Sequence, residues 1–581
     1  MSEEPRTHSH ALLTEPGRFR ELVLDRDEAA PRLPWLEQAR EDPAAFLARL
    51  FELCDSRGVR AAKSEPGVAI DLYHDLVLRH TDGERIALHY RERGEWKTRT
   101  FSELHGDCHE LSRIWTSRGV TAGQSLALIR PAGAAGIIEL LTGLRIGLVV
   151  TLIEPLGDRF IQRRLAAIEP DWIVVEEHYE RLIPDMLDRV LSPTPGPEEP
   201  VERLETRVSE PDEVVLRLFS AVDGDPLNPV DLRAEDVLLH ALRDGLLGLG
   251  LRPDDVLVDI ELPRVKYQPT LLFAALAAGA ATVLLSREEI ESEPALAGAF
   301  PNTTIILDPA LRDRLQRAEP PLGESWTTIL RDPSDRLEWH RWKDFLDTHE
   351  LNECPIANIA VDACRTGIAL FSFRRAGAIN SSVLPAPDLV WSVGDVPPTL
   401  FSSLSRTGVL ARIRGRDVRM IGTILLAEFG AEWLYVGTAE PRRSGLTYPE
   451  REALDALEEL DWLKGASVVA RAGGSEADPW RFGLLLFLGA IGPDELDRLR
   501  PRLIGEVETT LRRHVGAHAF PDELIFLPLY PRRRAKGEMD HEWARREYLS
   551  GSLQRRSEHP LFGVLQHARQ SVMEDPPAPS I

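Results

Sequence analysis

Cysteine is scarce. The 581 residues contain four, at Cys54, Cys108, Cys354 and Cys364, with no paired spacing. That excludes a disulfide framework and a structural zinc site built on thiolates. A run of twenty apolar residues is missing too. The most apolar stretch, around Gly133–Pro155, is broken by Glu139 and Arg145, so no membrane-spanning segment is expected. The opening MSEEPRTHSH lacks the basic-then-apolar order of an export signal, and the expected location is cytoplasmic. Positive charge is also short. Against 93 Asp+Glu stand 69 Lys+Arg, a formal charge of −24. An acidic chain makes a poor phosphate-backbone binder, so no nucleic-acid partner is expected.

Several catalytic signatures are absent as well: G-x-S-x-G, G-x-x-x-x-G-K-[ST], G-x-G-x-x-G and H-E-x-x-H. His105 and Cys108 stand one helical turn apart, but two ligands do not make a metal site. No solenoid-length repeat occurs. The composition is 43% hydrophobic and 28% charged, which is globular. The length suggests two to four domains of roughly 150 residues.

The chain reads as helices alternating with short apolar strands, an α/β pattern with parallel sheet. Residues 1–69 read as a helical extension, with helical spacing in PAAFLARLFELC. Thr100 and Glu103 form a capping-box pattern that opens a helix. AAGIIELLTGLRIGLVVTLIEP reads as helix, glycine, strand, and RFIQRRLAAIEPDWIVVEE as helix, turn, strand. LSPTPGPEEP (Leu191–Pro200) is too rich in proline for regular structure. Strand Asp255–Pro263, helix Thr270–Ala280 and strand Ala281–Ser286 follow. Residues 395–435 read as a small β subdomain. A last unit over 438–550 has an amphipathic helix near Leu499–Val515, and 551–581 read as a polar tail.

The order of these pieces, over roughly residues 70–550, resembles the adenylate-forming (ANL) superfamily of acyl-CoA synthetases and other AMP-dependent ligases. TFSELHGDCHELSRIWTSRGVTAGQSLALIRP, GLRIGLVVTLIEP and GLRPDDVLVDIELPRVKYQPTLLFAALAAGAATVLL carry the likeness. It implies a large AMP-binding-like domain over 70–437 and a small mobile α+β domain over 438–550. It implies ATP and Mg²⁺ as cofactors and a carboxylic (fatty) acid or acyl group as substrate. Coenzyme A or an acyl carrier protein would be the thiol partner.

The motifs that carry this chemistry in the family are altered here. FSAVDGDPLNPV stands in for the phosphate loop S-G-T-T-G-x-P-K-G. It keeps Ser220, Gly224 and Pro226, adds Asp223 and Asp225, and has Leu227 where the lysine belongs. Acids a few Å from a polyphosphate repel it. VDACRTG stands in for the adenine and metal motif Y-G-x-T-E. It has Val361, Asp362, Cys364 and Arg365 before Thr366, so a guanidinium replaces the metal-holding carboxylate. At the ribose-binding T-G-D, Thr423 replaces the aspartate. At the hinge, Glu440 followed by Pro441 replaces Asp-Asp. Lys536, followed by Gly537, is the candidate catalytic lysine, though a basic surface loop reads as well. Two expectations stand side by side: a ligase of weak or altered activity, or an inactive homologue that binds an acyl group, a carrier or a partner enzyme. A hydrolase or acyltransferase using Cys364 ranks behind both.

Overall fold

The computed structural model describes residues 43–56, 62–131, 133–191, 205–219, 228–261, 268–319, 321–332, 338–352, 354 and 356–362. It further describes 367–374, 382–385, 411–413, 416–421, 424–429, 432–438, 441–443, 446–476, 479–516 and 520–553. The architecture is mixed α/β. A five-stranded sheet takes the order Trp172–Val175, Ser125–Ile129, Val149–Ile153, Val214–Phe219, Pro229–Arg233; only the last strand is antiparallel to its neighbour. A second sheet of 13 strands has a parallel centre built from Val256–Ile260, Ala281–Leu285, Thr303–Ile306 and Trp326–Arg331. Beyond Ile356–Asp362 it turns antiparallel and ends in the small β region of Ala411–Thr438. A three-stranded sheet of Gly465–Ala472, Trp480–Phe487 and Glu523–Leu527 forms a C-terminal module with helices Glu450–Leu457, Pro493–His514 and His541–Leu549.

Local chemistry places the ends of these elements. Thr100 Oγ1 accepts the Glu103 N–H at 3.1 Å, and the Glu103 carboxylate accepts the Thr100 N–H at 2.8 Å, so the reciprocal cap opens helix Phe101–Ser117. Helix Ala134–Ile146 stops at Gly147, whose φ of +90° suits a residue without Cβ, and strand Val149–Ile153 follows. Two readings shift at their edges. The central helix runs Gln268–Ala278 rather than 270–280, and the C-terminal helix begins at Pro493 and continues through Pro501. Pro501 and Asp497 are both exposed, so water can take the carbonyl that Pro501 leaves without a donor.

The core lies between the two large sheets. All eleven residues of Gln268–Ala278 are buried, as expected of a helix apolar all round. Phe46, Leu47, Leu50 and Cys54 of helix Pro43–Ser56 join the same core. A Cβ on Gly245 would lie 2.4 Å from the Ala274 carbonyl oxygen, so glycine there lets two helices touch backbone to backbone.

The C-terminal module docks on the five-stranded lobe through helix Asp158–Ile168. Arg164 lies 3.5 Å from Glu452, and both are buried. His514 Nε2 and Glu459 are 3.0 Å apart, Arg159 also pairs with Glu459, and Arg513 reaches Asp158 at 3.4 Å. A Cβ on Gly157 would meet the Val515 nitrogen at 2.5 Å, which shows how closely the backbones approach.

Candidate functional site at the 356–374 hairpin

Strand Ile356–Asp362 pairs antiparallel with Gly367–Arg374, with Asp362 opposite Gly367 and Val361 opposite Ile368. Their connection carries the residues matched to the adenine and metal motif. The turn end of this hairpin is held by helix Ala234–Leu242, which continues into a π-turn over Arg243–Gly248. Such turns re-aim side chains and often occur at functional positions. Here the turn carries Arg243 and Asp244, each 1% exposed, into the core.

Asp244 accepts the Ile368 N–H at 2.9 Å and the Arg243 Nε–H at 2.5 Å. Arg243 donates through Nη2 to the Ile368 carbonyl at 3.2 Å. One ion pair therefore grips both polar groups of a single hairpin residue. Gly367 beside it has φ +66°, and a Cβ there would lie 2.4 Å from Asp244 Oδ2. Any other residue would meet both strain and a carboxylate. His240, one turn earlier, is held neutral: burial drives its pKa well below 6.5, and Arg243 adds repulsion.

Among the residues expected at a nucleotide site, Asp362 ends the first hairpin strand. Ser220, Asp223, Gly224, Thr366, Thr423 and Glu440 lie outside the described residues, as do Leu227, Cys364 and Arg365. Lys536 is exposed in a tight turn of the C-terminal module. Arg533 donates to the Gly537 carbonyl at 2.7 Å, the Arg534 N–H to Glu538 at 2.7 Å, and the Gly537 N–H to Arg534 at 2.9 Å. Gly537 closes the turn with φ +82°. The turn thus presents Lys536 outward on a rigid frame.

Mg²⁺ beside ATP would need a cluster of oxygen ligands among the described residues. Among them no group of three His, Cys, Asp or Glu side chains is placed to hold a metal. Asp244 is engaged by a guanidinium and a peptide N–H. The described donor set does not fit a cation site. His105 and Cys108 belong to a packed cluster instead. Tyr73 Oη is 3.1 Å from His105 Nδ1, and Arg145 lies 5.3 Å over the Tyr73 ring. Burial pushes the Cys108 thiol up to about 12, which leaves it protonated and a poor nucleophile.

Arg243–Asp244 escaped the sequence reading. A signal was present: two adjacent charges inside the apolar run VLLHALRDGLLGLGL. A charged pair in a buried helix needs a partner, and here the partner is a hairpin over 120 residues away, at |i−j| = 124.

Comparison with solved structures decides the architecture. Amide bond synthetase McbA from Marinactinospora thermotolerans superposes with a TM-score of 0.58 over 82% of this chain and 99% of its own, at 14% identity. The chain shares the fold of this synthetase. An o-succinylbenzoate CoA synthetase from Bacillus subtilis, solved with a product analogue, gives 0.57 over 81% and 97%, also at 14% identity. In sequence, the acetyl-coenzyme A synthetase of Mycobacterium tuberculosis is 25% identical over 142 residues. That match spans 22% of this chain and 22% of the relative. No family model matches the chain. The 356–374 hairpin and the Lys536 turn are described elements of this shared fold. No described helix is long and apolar enough to cross a membrane.

Proposed function

We propose that this protein is a divergent relative of the ligases that activate carboxylic acids as acyl-adenylates for transfer to a thiol, with nucleotide-dependent activation weakened or lost. The observation that carries the reading is the adenylate-forming architecture combined with Leu227 and Arg365 at positions that call for a lysine and a metal-holding glutamate. Each preorganised charge of that kind is worth roughly 10²–10³ in rate, so losing several leaves little activation.

The residue roles follow from this. Ser220, Asp223 and Gly224 would line the phosphate loop, Asp362 and Thr366 the adenine side, and Thr423 the ribose. Glu440 would sit at the hinge. Lys536 would neutralise charge on an acyl-phosphate oxygen. The corresponding units are a helical extension over 1–69, a large AMP-binding-like domain over 70–437, a small domain over 438–550 and a tail over 551–581. Substrate and partner are an acyl carboxylate and coenzyme A or an acyl carrier protein, in the cytoplasm. The same losses favour a second reading, in which the protein binds an acyl group, a carrier or an active partner enzyme without catalysing.

Calorimetry with Mg-ATP, followed by ATP–pyrophosphate exchange over a panel of carboxylic acids, tests the reading. Little or no exchange is expected. Binding tighter than about 1 mM together with brisk exchange that disappears in Lys536→Ala would refute it in favour of a working ligase. Binding of an acyl-pantetheine without any nucleotide binding would favour the second reading.

A further inference from the structure

The C-terminal module touches the rest of the chain at a second place, in the lobe built on the parallel centre of the 13-stranded sheet. Its strands Gly465–Ala472 and Trp480–Phe487 are joined by a loop that carries Glu476. By composition, GGSEAD is a solvated surface loop. Yet the Glu476 side chain is 0% exposed.

It ends in a pocket of the neighbouring lobe. Glu476 Oε2 accepts from Arg312 Nη1 at 2.9 Å and from the Glu338 backbone N–H at 3.1 Å. The Trp342 indole N–H lies 3.0 and 3.1 Å from the two carboxylate oxygens, and Arg331 Nη2 lies 3.5 Å from Oε1. The Glu476 N–H donates back to the Glu338 carboxylate at 3.2 Å. Both guanidiniums flank the Trp342 ring, at 5.0 and 5.5 Å, and both arginine side chains are 0% exposed. Arg312 also bonds Asp313, within its own lobe. The pocket is thus cationic, lined by an aromatic face, and filled by a carboxylate from another part of the chain.

We propose that Glu476 is a latch: a carboxylate key on the C-terminal module that seats in the Arg312–Arg331–Trp342 pocket and holds the module in this docked arrangement. The physical asymmetry is plain. When the module is undocked, water solvates all three charges. When it is docked, a missing carboxylate leaves two guanidiniums buried with less compensation, which is among the most destabilising changes a protein interior can suffer. The latch therefore gates any movement of the Lys536 turn relative to the lobes. It rests on side-chain geometry alone and stands whether or not nucleotide binds.

The test uses the full chain, wild type against Glu476→Gln, with hydroxyl-radical footprinting read by mass spectrometry at Trp342 and small-angle scattering on the same samples. Trp115, buried in the other core, reports whether the fold survives. Trp342 modification is expected to speed up roughly a hundredfold, with Trp115 unchanged and a larger maximum dimension. Equal Trp342 rates would overturn the latch. So would faster Trp342 modification with no change in dimension, since only the loop would then have moved. If Glu476→Gln does not fold, Glu476→Asp keeps the charge one methylene short. An intermediate Trp342 rate with an enlarged dimension supports the latch, and a wild-type rate overturns it.

Discussion

The contact between Arg164 and Glu452 offers a quantitative test of how the C-terminal module is held on the five-stranded lobe. Arg164 is 5% exposed and Glu452 1%, and they sit on opposite sides of the interface. Arg164 also donates to the Phe160 carbonyl at 3.2 Å and lies over the Phe160 and Phe219 rings. Burial lowers its pKa to about 10 even with Glu452 pulling the other way. That depression corresponds to about 3 kcal/mol of uncompensated desolvation. Arg164 stays charged at neutral pH, so replacing Glu452 by Gln removes the one carboxylate the structure places against it. The expected loss of interface stability is about 3–5 kcal/mol. Replacing both partners, Arg164→Met with Glu452→Leu, removes charge and desolvation together and is expected to cost about 1 kcal/mol or less, or to stabilise. Equilibrium urea unfolding of the four proteins, followed by far-UV circular dichroism and by intrinsic fluorescence, closes the double-mutant cycle. Single losses that simply add in the double variant would refute the reasoning, because they would mean that the two charges do not compensate each other.

Three further outcomes follow from other parts of the molecule. Asp244→Asn should cost about 1.5–3 kcal/mol through loss of a charged acceptor, and amide exchange at Ile368 should speed up ahead of the neighbouring strand; uniform exchange across the hairpin would contradict the grip described here. Gly245→Ala should lose about 1–3 kcal/mol, because its Cβ meets a backbone oxygen, whereas Gly106→Ala, in open space on helix Phe101–Ser117, should gain about 0.5–1 kcal/mol; thermal unfolding of the pair checks the contrast. Burial, with help from Arg145 and His109, lowers His105 to about 4, against 6.5 when unfolded. Between those values the unfolded chain takes up a proton that the folded chain does not, so stability falls as pH drops from 6.5 toward 4 and levels off below. The urea midpoint should fall less between pH 7 and pH 5 in His105→Gln than in the wild type, and equal falls would refute the assignment.

Much of the scaffold was legible in one dimension because its determinants are local. A capping box needs only Thr100 and Glu103, three residues apart. A strand such as VLVDI announces itself because both faces are buried, and Gly147 marks a helix end because φ +90° excludes most side chains. Helix starts were less legible where proline intervened. The helix expected near Leu499–Val515 opens earlier, at Pro493, and Pro501 is tolerated inside it because its missing donor falls on an exposed face where water substitutes.

The candidate site divides along the same line. The sequence by itself determined the α/β order, the buried strands and the exposed, basic character of the Lys536 turn, since each follows from composition within a few residues. Only the tertiary structure decided what the isolated charges do. Arg243 and Asp244, which drew no reading from the sequence, hold a hairpin. Glu476 reads as a solvated acid in a glycine-rich loop and proves to be a fully buried carboxylate between two arginines. The reason is electrostatic. The free energy of a charge depends on its solvent and its partners, and for Glu476 the partner Arg312 lies 164 residues back along the chain.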